Sequence, residues 1–210
     1  EAYSGTAAVL AAALDGTVTD LNGFALLGAM TITGDNPTSA QLKTINDATR
    51  GTLVIPNKTV ELSGTAAALA SALAGTVQDG SGDAITGTVT ITGDNPTSAQ
   101  LKTINDSVAG TIVVPSKTVA LSGTAAALAS ALAGTVQEVT SGDAITGTVT
   151  ITGTDPTPAE LQTINNSVAG TIEVPDKTVT LSSTAAVLAA ALNGTVVEVT
   201  TGAALTGAVT

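Results

Sequence analysis

Residues 62–78 read LSGTAAALASALAGTVQ, and residues 121–137 repeat them letter for letter. Residues 31–47, TITGDNPTSAQLKTIND, recur unchanged at residues 90–106. The step is 59 to 60 residues, with a weaker period of about 30 inside it. Periods of this size mark stacked units, each unable to bury its apolar face alone. The chain therefore divides into repeats at residues 1–59, 60–118 and 119–178, and a partial fourth at 179–210, in one continuous array. The expected fold class is α/β: a repeat solenoid of strand–helix–strand coils about 30 residues long, two alternating coil types per long repeat.

Every coil has the same grammar. An alternating strand such as Thr88-Val89-Thr90-Ile91-Thr92 comes first. A threonine then stands where its hydroxyl caps a helix: Thr6, Thr38, Thr65, Thr97, Thr124, Thr157 and Thr184. Gln41, Gln100 and Glu160 lie three residues past their threonines, completing capping boxes, and Pro158 suits the first helical position. Gly16, Gly51, Gly75, Gly110, Gly134, Gly170 and Gly194 follow the helices, as expected of residues that end a helix in the left-handed conformation. A second strand comes next, ended in three coils by Pro56, Pro115 or Pro175.

Odd coils carry Ala-rich helices, apolar nearly all round, so burial on most sides is expected. Even coils carry amphipathic ones, with Leu101, Ile104 and Val108 on one stripe. Strands lie about 4.8 Å apart and helices about 8–10 Å apart. Sending odd and even helices to opposite sides of a straight stack would give each side one helix per two strands. That arrangement predicts an advance of about 9.6 Å per long repeat.

Composition narrows the function classes. The net charge is −11, which argues against nucleic acid and anionic membrane surfaces. There is no Cys and no His, so thiol chemistry, disulfides and an imidazole base are impossible. An enzyme is not expected. No apolar run approaches the roughly 18 residues of a membrane-spanning helix, so no membrane insertion is expected. The chain carries no distinct cap at either end, and reads as a segment of a longer array or a protomer whose ends meet neighbours.

Calcium is the one cofactor the acids suggest. Asp35, Asp94 and Asp155 recur once per long repeat, and Asp83 and Asp143 form a second series. One carboxylate per rung falls short of the roughly six to eight oxygens calcium takes, so caps and turns are the leading expectation and no cofactor is expected. Asn57, Asn105, Asn165 and Asn193 open N-x-Ser/Thr acceptor patterns. Lys58, Lys117 and Lys177 recur beside the proline turns as turn charges or edge guards. If the Ala-rich helices are left uncovered, Leu69, Leu73, Leu128, Leu132, Leu188 and Leu192 would pair two solenoids side by side. Open strand edges at the two ends would allow head-to-tail self-association.

Two resemblances follow from these strings. Val-Thr-Ile-Thr-Gly…Pro-Thr-x-Ala-x-Leu-x-Thr-Ile-Asn and Leu-Ser-Gly-Thr-Ala-Ala-x-Leu-Ala are similar to tandem repeats of very large bacterial, notably cyanobacterial, cell-surface and extracellular proteins. That resemblance implies an extracellular or cell-surface fibre, or a stalk that adds reach within a giant adhesin. Thr88, Thr90 and Thr92, with Thr148, Thr150 and Thr152, resemble the Thr-x-Thr faces of ice-binding solenoids, which implies ice binding as a further alternative.

Overall fold

The threonines do cap the helices. In the computed structural model, which describes residues 2–16, 18, 19, 22 and 24–210, all seven threonine side chains accept from a backbone N–H in the first helical turn. Caps of this kind are worth about 1 kcal/mol each. The capping boxes close reciprocally at Thr38–Gln41, Thr97–Gln100 and Thr157–Glu160. The first repeat, among its described residues, runs β1 (Tyr3–Thr6), α1 (Ala7–Ala13), β2 (Met30–Thr33), α2 (Ser39–Ala48) and β3 (Leu53–Ile55). The second runs β4 (Leu62–Thr65), α3 (Ala66–Ala72), β5 (Val77–Asp79), β6 (Val89–Thr92), α4 (Ser98–Ser107) and β7 (Thr111–Val114). The third is β8 (Leu121–Gly123), α5 (Ala125–Ala131), β9 (Thr135–Glu138), β10 (Val149–Ile151), α6 (Pro158–Ser167) and β11 (Thr171–Val174). The partial fourth adds α7 (Ala185–Ala191) and β12 (Thr195–Glu198). The strands before Pro56, Pro115 and Pro175 end one residue short of them.

Three parallel four-stranded sheets result, ordered β1-β2-β3-β5, β4-β6-β7-β9 and β8-β10-β11-β12. Each takes three strands from one repeat and its fourth from the next. In the middle sheet Leu62, Val89, Ile112 and Val136 stand in register across all four strands. Each is buried, and the row belongs to one hydrophobic cluster running from Ala7 to Ala191. Alternation along the strands puts Ser63, Thr90, Val113 and Gln137 on the opposite face.

The helices do not alternate between two sides. Each touches the next, from α1 to α7, in a single row. The required two strands per helix are met differently: an even coil puts both strands in one sheet, and an odd coil divides its strands between two successive sheets. Odd helices are consequently not buried all round. In α3, Ala66, Leu69 and Ala72 are buried while Ala67 is exposed, and α4 likewise buries Leu101 and Ile104 and exposes Ala99.

The glycines after the helices have a different purpose from the expected one. Of the seven, only Gly16 has positive φ, at 117°. Gly110 and Gly170, with Gly87, Gly147 and Gly207, lie where two backbones touch. A Cβ on Gly147 would sit 2.0 Å from the Val119 carbonyl oxygen, and one on Gly110 2.3 Å from that of Gly87. Gly134 and Gly194 instead face the side-chain oxygens of Asn105 and Asn165, at 2.6 and 2.4 Å from the same notional atom.

Candidate functional site: the junctions between repeats

The chemistry of this chain concentrates where one repeat meets the next. Asn46, near the end of α2, donates from Nδ2 to the Ser71 carbonyl on α3 at 2.8 Å. Beside it, Lys43 pairs with Asp47, and the Ser71 hydroxyl donates to the same carboxylate at 2.5 Å. The next junction repeats this: Asn105 donates to the Ser130 carbonyl at 2.7 Å, and Lys102 and Ser130 both bond Asp106. Partial burial pulls the Asp47 and Asp106 carboxyls up, but the lysine and serine bonds outweigh it and hold both below the usual value. At the third junction the whole set is neutral. Gln162, Asn166 and Ala190 replace Lys, Asp and Ser together, while Asn165 still donates to the Ala190 carbonyl at 2.8 Å.

A second coupled set guards the sheet edges. Ser39 at the start of α2 donates to the Ser63 carbonyl on edge strand β4, and Ser98 does the same for Ser122 on β8, each at 2.5 Å. A Cβ at Gly64 or Gly123 would come 3.1 Å from that serine oxygen. Where Ser183 fills the glycine position, Pro158 fills the serine position, and the crowding hydroxyl is gone. The far edge of each sheet is closed by the chain itself: Asp79, Glu138 and Glu198 N–H groups donate to the carbonyls of Asp83, Asp143 and Ala203.

Those far-edge turns hold low-pKa carboxylates. Glu198, 8% exposed, accepts from the Thr201 hydroxyl at 2.6 Å and from the Thr200 and Thr201 N–H groups, and its pKa drops to about 2. Ser141 and its neighbour Thr140 lower Glu138 in the same way, and the Asp83 and Ser81 N–H groups lower Asp79. These bonds require the ionised form, so their stabilisation is complete above the unfolded carboxylate value of about 4.3 and disappears as pH falls through the folded value. Unfolding midpoints are therefore expected to stay level from pH 8 to 5 and to fall between about 4.3 and 2. Glu198→Gln should flatten part of that drop; an identical acid profile for the variant would refute this assignment.

The predicted site residues fall into three groups. Asp83 pairs with Lys58 and Asp143 with Lys117, at 2.5 and 3.3 Å. Asp35, Asp94 and Asp155 stand exposed in the loops before the even helices. Among the described residues no three acids gather as a metal site would need. Leu69, Leu73, Leu128 and Leu132 are at most 1% exposed, covered by neighbouring coils of the same chain, and so cannot form a side-by-side interface. Leu188 and Leu192, on the last helix, are covered less fully.

The threonine faces also differ from a regular array. Thr90 lies between Ser63 and Val113, and Thr150 between Ser122 and Glu173, to which its hydroxyl donates at 2.8 Å. Thr90 and Thr150 belong to different sheets. Of the asparagines in acceptor patterns, Asn105 and Asn165 have their amide groups engaged across junctions, whereas Asn57 and Asn193 are exposed. The junction polar sets were missed in the sequence, yet they carry a signal there: their members change together from copy to copy. Among the described residues no helix is long and apolar enough to cross a membrane. No protein family, curated protein or solved structure matches the chain.

Proposed function

We propose that this is a structural repeat protein, a solenoid that contributes length and surface to an extracellular or cell-surface fibre. The observation that carries the reading is the lending of strands: every complete sheet needs a strand from the following repeat. A unit of this kind is finished only by its neighbour, and such units extend without a natural limit. The stacking is reinforced by backbone contact at Gly87, Gly147 and Gly207 and by the Asn46, Asn105 and Asn165 bridges. No catalytic centre, metal or cofactor enters this reading.

The row of helices sets a testable dimension. Two helices per repeat at 8–10 Å, or four strands at 4.8 Å, give an advance of roughly 16–20 Å, about twice that of the opposite-sides arrangement. Electron microscopy of the native material is expected to show filaments with an axial period near 19 Å. Globular particles without an axial repeat would sink the proposal. The alternative, a stalk within a giant adhesin, is favoured by the burial of the shared apolar faces inside the chain. A stalk keeps the purified chain monomeric at all concentrations, whereas a fibre protomer polymerises. The ice-binding alternative has less support: threonines meet across strands only in pairs such as Thr65–Thr92 and Thr111–Thr135, while Thr90 and Thr150 of the quoted faces lie beside Ser63, Val113, Ser122 and Glu173.

A further inference from the structure

Helix α1 has the sequence of α7. Residues 6–18 and 184–196 are the same except that Asp15 stands where the later copy has Asn193. Their surroundings differ. In α7, which rests on α6, Ala191 is fully buried and Val187 and Ala190 are half-buried. In α1 the same face is open: Val9 is 62% exposed, and Ala12 and Ala13 are exposed too.

Two further features share this open side. Thr86, Thr146 and Thr206 each donate from N–H to the carbonyl of a lysine in the preceding repeat, as do the glycines that follow them. Their counterparts Leu27 and Gly28 donate to no described residue. Val18 and Thr19 form no strand, although the equivalent segments make β5, β9 and β12 by pairing with β3, β7 and β11 of the repeat before.

We propose that this face is the docking surface for a half-repeat of one type, the β10–α6–β11 type, with its neutral Gln162/Asn166 helix, rather than the β6–α4–β7 type with its Lys102/Asp106 pair. The inference rests on the stacking reading and adds selectivity to it. At the position of Ser71 and Ser130, whose hydroxyls donate a hydrogen bond to an aspartate, Ala12 is an alanine like Ala190, the partner of the neutral helix. Phe24 stands where Lys58 and Lys117 find Asp83 and Asp143. Lys177, on the turn that follows β11, is the lysine whose opposite position is already apolar, Ala203. A charged-type half-repeat placed here would leave its aspartate with Lys102 but without the serine hydroxyl, and its turn lysine without a carboxylate. The α7 end of a second copy is not the occupant: every helix junction in the chain joins an odd helix to an even one, and α7 on α1 would join two odd ones.

The test lengthens the full chain. One version carries a copy of residues 149–178 directly ahead of residue 1, the other a copy of residues 89–118, both in the native spacing. Hydrogen exchange of the α1 amides is the readout. Both copies should slow it relative to the original chain, the first about tenfold more than the second, since a hydrogen bond to a charged group is worth about that factor or more. Ala12→Ser should narrow the gap by giving the charged copy its hydroxyl. Equal protection by the two copies would overturn the selectivity while leaving the stacking reading intact. Protection by neither would overturn the stacking reading itself.

Discussion

Gly147→Ala is expected to destabilise the chain by about 3–5 kcal/mol, from overpacking together with the loss of backbone hydrogen bonds. The added methyl would meet the Val119 carbonyl oxygen at 2.0 Å, its carbon at 2.5 Å and the Thr118 oxygen at 2.7 Å. All three atoms are backbone, so no side-chain rotation relieves the clash. The chain at residues 117–119 must move away. That movement breaks the bonds from Thr146 and Gly147 N–H to the Lys117 carbonyl, now 2.6 and 3.1 Å, and stretches the Lys117–Asp143 pair. The damage lies between the second and third repeats. Because repeat arrays are held by nearest-neighbour terms, denaturant unfolding should split into two steps. Gly80→Ala is the control: nothing lies within 4 Å of its added carbon, and a change of at most about 1 kcal/mol is expected. Equal stability of the two variants would show that the backbone contact at Gly147 is not tight.

Leu128→Ala should cost about 2–5 kcal/mol, in the upper half of that range because neighbours on all sides are fixed by the stack. Leu128 is wholly buried in α5, which touches both α4 and α6. Leu128→Asp should do worse, unfolding the central repeats by burying an unpaired charge. Neither change should alter the oligomeric state of whatever remains folded. Circular dichroism with light scattering separates the outcomes. A Leu128→Asp chain that kept its full helix signal and merely separated from a partner would restore the side-by-side interface and refute the burial described here.

What was legible in the sequence was local. Each capping threonine is three residues from the N–H it accepts, and Pro56, Pro115 and Pro175 act on the strand just before them. Such short-range chemistry repeats visibly in every copy. The glycine positions were also visible, but their cause was not. Gly147 needs its small size because of Val119, 28 residues away, and only the sheet register reveals that approach. The side on which each helix lies was misread for a related reason. The spacing argument required two strands per helix, and two different topologies satisfy it. Counting strands per coil cannot tell whether β5 joins β4 or reaches back to β3. In the junction sets the lysine and aspartate are only four residues apart, but the serine that completes each, such as Ser71 for Asp47, lies 24 residues away. Their joint replacement by Gln162, Asn166 and Ala190 was the available clue.

The borrowed fourth strand has a consequence for how such a gene can change. Removing residues 89–118, a single coil, would leave β4 without β6 and β9 without β7, orphaning two sheet edges at once. Removing or inserting a full 59- or 60-residue stretch leaves every sheet with its four members, wherever the cut falls. Unequal recombination between the near-identical tracts would therefore yield viable lengths only in whole two-coil steps, so the array can grow or shrink across generations as a ruler with fixed graduations.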